Sequence, residues 1–373
     1  MIYLDNAATT RVFDKAVDAA CEAMRTGFFN PNATYKSGVD SREVIEKARM
    51  TIAHAIGTSP DEIIFTSGAT ESNNWVFSCG RKNPKGNIVV TSGEHASVYE
   101  CAMQLKNRGL DVRFAPLTKD GIVDCEKLLD LVDQNTALVS LIHVSNETGA
   151  VNPVKQISAA VKQIAPRALI HCDGVQALLK TEPINSLNVD FYSASAHKVG
   201  APKGIGLLYI RKGLNIAPYF LGGGQERNLR SGTQNTPYIS AFAAAVEQFS
   251  SLCNHDKTSK IRDAMRDYFI KNGCTVIGDK HNSGYILCVC VPGVKAEILQ
   301  NLAHDRGVII GKGAACSGSK RGNRVLSAIG LGAKQIECCI RISLFVDTSE
   351  QEAMEASKII TECAEIIRSN HVG

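Results

Sequence analysis

Lys198 closes the run Ser195-Ala196-His197-Lys198 just after a strand-like stretch, and Asp173 closes another strand-like stretch upstream of it. A lysine amine can form a Schiff base with an aldehyde, and an aspartate beside a pyridine nitrogen keeps that nitrogen protonated so that the ring can accept electrons. A buried pair of this kind is how proteins hold pyridoxal phosphate. Most lysines are solvated surface charges, so the pair carries weight only if the rest of such a site is present. Thr66-Ser67-Gly68-Ala69-Thr70-Glu71-Ser72 follows an apolar strand-like run and opens a helix. Small residues such as Ala69 let the backbone approach a ligand, and free N–H groups at a helix start, with the Thr70 hydroxyl beside them, make a cup for phosphate. Read alone, the same stretch is an ordinary strand-to-helix turn capped by Thr70. The chain has no G-x-x-x-x-G-K-[ST], so a nucleotide P-loop is not supported.

Three more polar residues fall at predicted strand ends. His95, in Gly93-Glu94-His95-Ala96, would project over the mouth of a sheet, where an imidazole could stack on a cofactor ring and move protons. Asn146, in His143-Val144-Ser145-Asn146-Glu147, could hydrogen-bond the phenolic oxygen of the cofactor or the substrate, and Gln176, one turn after Asp173, could reach the same oxygen.

The elements that must position these groups are legible as short β-branched runs at 62–66, 87–91, 137–143, 168–173, 189–193 and 206–210, with helical spacing between them at 96–107 and 154–164. This alternation predicts an α/β domain with a mostly parallel central sheet flanked by helices, and a ligand at the strand ends. After Gln225 the texture changes to an Ala-rich helix at 238–251, a helix at 257–271 and strands near 285–291 and 340–345, which predicts a smaller α+β domain. The expected division is 16–250 for the large domain, with 1–15 and 251–373 forming the small one. A chain of 373 residues is long for a single core, which suits two domains. No apolar run approaches the roughly 18 residues that cross a bilayer. The opening Met1-Ile2-Tyr3-Leu4-Asp5 lacks the pattern of a secretory signal, so the cytoplasm is expected. The 41 basic and 37 acidic residues are scattered, which gives no footprint for nucleic acid. Thirteen cysteines occur without a C-x-x-C pair or a zinc-like His/Cys grouping. Most read as small buried hydrophobes in a reducing compartment, Cys288 and Cys290 as strand residues, and Cys338 and Cys339 as packing.

Taken together, these residues resemble the class V aminotransferase-like family of pyridoxal phosphate enzymes (fold type I), and within it the cysteine desulfurases of the IscS/NifS type. The likeness runs over essentially the whole chain. Besides the segments already quoted, it includes Tyr3-Leu4-Asp5-Asn6-Ala7-Ala8-Thr9-Thr10, Pro202-Lys203-Gly204-Ile205-Gly206, Gly222-Gly223-Gly224-Gln225-Glu226-Arg227 and Arg230-Ser231-Gly232-Thr233. The resemblance implies that Lys198 carries the Schiff base, that Asp173 pairs with the pyridinium, that Gln176 contacts the phenolic oxygen and that His95 stacks and transfers protons. It further implies that Ala69, Thr70, Ser195 and His197 bind the phosphate. Thr233 would reach the phosphate of a neighbouring subunit, which implies a homodimer. Arg341 would clamp the substrate carboxylate, with Asn146 assisting and Asn30 near the entrance.

Among enzymes of this resemblance, a desulfurase differs from a transaminase in having a thiol that reaches the substrate sulfur. Cys316 supplies one, in a Gly/Ser/Ala-rich segment too polar for core, with Lys312, Lys320 and Arg321 nearby to favour the thiolate. The implied activity is sulfur removal from L-cysteine, leaving L-alanine and a persulfide on Cys316 that passes to an iron–sulfur scaffold or a thiolation enzyme. Selenocysteine cleavage or another aminotransferase activity on the same scaffold is the alternative. Three features depart from the family pattern: Tyr35 where His is common, Phe29 where Gly is usual, and Gly174-Val175 after Asp173. The chain also stops at Gly373, soon after its last helix and without the tail with which housekeeping members dock a scaffold, so a dedicated thiolation partner is as well supported as cluster assembly.

Overall fold

The structure is a computed structural model that describes residues 1–79, 86–313 and 323–370. The chain opens with β1 (Ile2–Leu4) and then builds a sheet from β2 (Ile63–Thr66), β3 (Asn87–Thr91), β4 (Val112–Ala115), β5 (Thr136–Ile142), β6 (Leu169–Asp173), β7 (Phe191–Ser195) and β8 (Gly206–Ile210). Their order across the sheet is β2-β8-β7-β6-β5-β3-β4. β3 to β7 pair in parallel, and β8 runs against both β7 and β2. Six of the seven strands therefore point the same way, and their carboxyl ends share one edge. Nearly every residue of these strands is buried, as expected of a parallel sheet covered on both faces. Side chains alternate between two cores: Val89, Val139 and Ile170 face helices Asp14–Thr26, Lys36–Ile56 and Thr236–Leu252, whereas Ile88, Val90 and Leu138 face helices Ala69–Cys79 and Ala96–Asn107.

The second sheet contains β1, β9 (Thr275–Ile277), β10 (Ile286–Cys290), β11 (Val308–Lys312) and β12 (Cys339–Ser343), in the order β1-β11-β12-β10-β9. β1 pairs in parallel with β11, placing Ile2 opposite Val308, and the other pairings are antiparallel. One face packs Leu4, Leu287, Val289, Ile310, Ile340 and Ile342 against helices His255–Lys271, Ala296–Asp305 and Glu350–Ser369. The other face buries Cys288, Cys290 and Cys339, which behave as the small hydrophobes their spacing predicts.

The residues between β1 and helix Asp14–Thr26 tie the two sheets together. The Asn6 amide donates to the Ser343 carbonyl, the Ala7 N–H to the Ser343 hydroxyl, and the Thr10 N–H and hydroxyl to the His197 carbonyl. A buried ion pair, Arg49 with Glu226, fastens helix Lys36–Ile56 to β2, since Glu226 also accepts the Phe65 N–H. Strands β4, β9 and β11 have no counterpart in the predicted elements. β4 and β9 are short, and Val308-Ile309-Ile310 in β11 is a clear β-branched run whose signal stops at Gly311. Among the described residues no helix is long and apolar enough to cross a membrane.

Candidate active site

The parallel sheet delivers its loops to one edge, where β6 and β7 end in Asp173 and Ser195 and the segments after β2, β3 and β5 carry Thr70, His95 and Asn146. A cavity of about 280 Å³ is lined by Ala69, Thr70, His95, Asn146, Asp173, Gln176, Ser195, His197, Lys198 and Arg341. Ten of the thirteen predicted site residues thus meet in one place. Of the other three, Cys316 lies outside the described residues, and Thr233 and Asn30 do not line this cavity.

Lys198 lies in the single helical turn after β7, and its Nζ donates to the carbonyl oxygens of Ala7 and Ala8, both at 2.6 Å. The Gln176 amide donates to the same Ala7 carbonyl at 2.9 Å. The N-terminal segment therefore positions both residues. Asp173, at the end of β6, is 2% exposed. Its Oδ2 accepts from the Asn73 amide at 3.0 Å and its Oδ1 from the Val175 N–H at 3.1 Å. The residue after it must be glycine: a Cβ on Gly174 would stand 1.8 Å from Cζ of Tyr192. That contact is the physical reason for one departure from the family pattern.

His95 caps helix Ala96–Asn107, with its Nδ1 accepting from the Ser97 N–H at 3.2 Å. Burial lowers its pKa, the nearby Lys198 lowers it further and Asp173 acts against both, so the neutral ring is favoured. Glu94, directly before it, is wholly buried, and burial pushes its carboxyl up to about 8, with Asp173 adding to the shift. Its Oε1 accepts from the Thr91 hydroxyl and, at 2.7 Å, from the Ile142 N–H, which joins the His95 loop to β5.

On the phosphate side of the predicted site, the Ser195 hydroxyl accepts from the Ala69 N–H at 2.9 Å, and the His197 Nδ1 lies 3.1 Å from the Thr9 hydroxyl. Burial and the neighbouring lysines, Lys198 first among them, hold His197 down at about 3. Gly206 makes the approach possible, because a Cβ there would stand 2.5 Å from the Ala194 carbonyl and 2.7 Å from Gly68 Cα.

Arg341 enters from the other sheet. It lies in β12 between Cys288 and Gly311, is 2% exposed, and reaches Asp5 at 2.9 Å and Glu147 at 3.6 Å. It also donates to the Asn146 carbonyl at 3.1 Å, while the Asn146 amide donates to Glu147 at 2.8 Å. Asn323 donates to the other oxygen of Glu147 at 2.7 Å. A bulkier residue than glycine at 311 would meet Asp5 and the guanidinium, so β11 leaves room for the pair.

Asn30 lies outside the cavity. It is exposed, and its side-chain oxygen accepts the Asn32 N–H in the turn before helix Lys36–Ile56. Phe29 and Tyr35 pack edge to face, 6.3 Å between ring centres, in the same region. Thr233 is also exposed and outside this cavity. Sequence reasoning did not assign roles to Asn73, Glu94, Ser97, Asp5 or Glu147. Asn73 could have been found as the residue one helical turn after Ala69, and Glu94 and Glu147 as carboxylates adjoining candidates at strand ends.

The aminotransferase class-V family profile matches residues 2–355. A cysteine desulfurase IscS of Methanosarcina thermophila is 32% identical over 99% of this chain and 93% of its own length. A solved NifS-like protein superposes with a TM-score of 0.91 at 35% identity, covering 98% of this chain and 99% of that one. A structure described as SspA in complex with cysteine has a TM-score of 0.83 at 29% identity, covering 94% of this chain and 100% of that one. By sequence over nearly its whole length and by fold, the chain belongs to the aminotransferase class-V family, among relatives of the IscS/NifS type.

Proposed function

We propose that the chain is a pyridoxal-phosphate-dependent cysteine desulfurase that converts L-cysteine to L-alanine and leaves the sulfur as a persulfide on Cys316. The observation that carries this reading is that Lys198, Asp173, His95 and Arg341, from four different strands and two sheets, line one cavity. The residues fit the cofactor. Asp173 is a buried carboxylate suited to a protonated ring nitrogen. Gly206 keeps the loop before helix Ala69–Cys79 close to the sheet, so that Thr70, Ser195 and His197 share the wall suited to phosphate. When bound, pyridoxal phosphate supplies the aldehyde for the Lys198 amine and the electron sink for bond breaking at the substrate.

The chain's own residues bind, orient and move protons. Asp173 would hold positive charge at the ring nitrogen, and Gln176 would offer its amide to the phenolic oxygen. His95 would stand on the cofactor side of the cavity; since Nδ1 accepts from Ser97, Nε2 would be the nitrogen that exchanges the proton at the substrate Cα. Arg341 binds the substrate carboxylate, and Asn146 assists. Cys316 thiolate attacks the substrate sulfur; the S–S bond forms as the Cβ–S bond breaks. Asn30, exposed near the entrance, keeps the side-chain amide that its substrate role would use, while its oxygen accepts the Asn32 N–H.

The reading extends to a cytoplasmic homodimer in which the exposed Thr233 reaches the phosphate bound by the partner subunit. It also extends to a division into a large unit, 16–250, and a small one, 1–15 with 251–373. The persulfide passes to a protein acceptor, an iron–sulfur scaffold or a thiolation enzyme. The test is anaerobic incubation with L-cysteine and a reductant, quantifying alanine and sulfide beside a Cys316→Ala control. Equal amounts of both products from the wild type and neither from the variant are expected. Alanine without sulfide transfer through Cys316, or conversion of an amino donor by the variant at the wild-type rate, would move the assignment to another reaction of the same scaffold.

A further inference from the structure

A second cavity, of about 400 Å³, does not include Lys198 and is lined by Ile56, Leu178, Pro183 and Ile184 together with Cys253 and His255. Cys253 ends helix Thr236–Leu252, and helix His255–Lys271 starts two residues later behind the cap Asn254. Its Sγ lies 3.4 Å from His255 Nε2 and 3.4 Å from the Tyr285 hydroxyl, and that hydroxyl is 3.1 Å from His255 Nδ1. Across the Tyr285 ring, 5.4 Å from its centre, lies the ammonium of Lys180, which is 6% exposed. The chain reaches Lys180 through Leu179, at φ 62, in the left-handed region a leucine rarely adopts. A buried ammonium needs a compensating negative charge. Burial lowers Lys180 to about 8, and attraction to Cys253 opposes the shift. Burial raises the pKa of Cys125 and of Cys274, two other half-buried thiols.

We propose that Cys253, with His255, Tyr285 and Lys180, forms a second reactive thiol site that takes small apolar disulfides by thiol–disulfide exchange. The Cys253 thiolate attacks one sulfur of the disulfide; a new S–S bond forms, the old one breaks, and the leaving thiolate takes up the proton that Cys253 has lost. The disulfide is the oxidant, and no other reagent is required. His255 and Tyr285 donate to the thiolate, Lys180 compensates its charge, and the aliphatic wall of Ile56, Leu178, Pro183 and Ile184 receives the substituent. None of these residues lines the Lys198 cavity, although Lys180 is near enough to His197 to help lower its pKa.

The test exposes the full-length protein to limiting dipyridyl disulfide, or to oxidised glutathione as a polar counterpart, with acid quenching and mass spectrometry of each cysteine peptide. Cys253 is expected to react with the dipyridyl reagent at least about tenfold faster than Cys125 and Cys274, and this advantage should shrink with oxidised glutathione. His255→Gln and Lys180→Met should each lower the Cys253 rate by about tenfold while leaving the Cys125 rate unchanged, which also reports that the variants are folded. His255 is exposed, so its variant keeps the test decisive if Lys180→Met does not fold. A smaller advantage in the wild type, equal preference for the two disulfides, or a Cys253 rate that survives the His255 substitution would overturn the proposal.

Discussion

Arg341 shows how much of a site can depend on one side chain. Its guanidinium is almost fully buried, yet it is balanced by Asp5 and Glu147 and faces the cavity that Lys198 and His95 line. A planar guanidinium can hold a carboxylate through two parallel hydrogen bonds, whereas a lysine ammonium offers a point charge. Arg341→Lys is therefore expected to raise KM for L-cysteine by about ten- to a hundredfold, the loss of one charge-assisted hydrogen bond, with a smaller effect on kcat. Steady-state kinetics decide it: an unchanged KM would mean that the carboxylate binds elsewhere. Lys198, Asp173, His95 and Arg341 were legible in the sequence because each lies in or at the end of a strand-like run. The Ala7 and Ala8 carbonyls that hold the Lys198 amine were not, because a backbone oxygen leaves no signature in residue type.

At the scale of elements, the site depends on how closely strands and loops can approach. β6 and β7 lie side by side, and the Tyr192 ring of β7 fills the space over Gly174, the first residue beyond β6. The Tyr192 hydroxyl lies 3.4 Å from the Gly174 carbonyl. An added methyl group would push against the ring and shift the carboxylate of Asp173 next to it. Gly174→Ala is expected to cost about 1–3 kcal/mol of stability, the usual penalty of overpacking. Combined with Tyr192→Val, which carries its own cavity cost, the total loss should be less than the sum of the two single losses, because the space left by the ring accepts the methyl group. Urea unfolding of the single and double variants checks this; additive losses would show that the ring is not the obstacle.

For the whole molecule, the buried ionisable groups set how stability varies with pH. Burial pushes Glu94 up to about 8 from its ordinary 4.5. Between these values the native state keeps a proton that the unfolded chain has released, so this group's contribution falls as pH rises and is lost above about 8. His171 works in the opposite sense. Burial between Ser140 and Ser193 holds it down at about 3 from 6.5, so stability falls as pH drops through that interval. Glu94→Gln keeps an acceptor for Thr91 and Ile142 but cannot ionise. Its stability relative to wild type should therefore rise with pH between about 5 and about 8, by up to about 1.4 kcal/mol per pH unit. Urea midpoints across that range measure it, and parallel curves would show that Glu94 does not titrate in the folded protein.

Sequence by itself determined the parallel sheet, the order of its strands along the chain and the polar residues at their ends, because apolar runs and the turns that stop them are local properties of the chain. It also determined that Cys288, Cys290 and Cys339 are core residues. Tertiary structure alone decided which residues meet. It carried β1 into the second sheet beside β11, laid the segment after it against Lys198 and Gln176, and brought Arg341 from β12 to the same cavity. It also left Asn30 outside that cavity, in a turn where its side-chain oxygen accepts the Asn32 N–H. These contacts join residues far apart in the chain, and they are selected by the packing of two sheets and their helices, which no local pattern encodes.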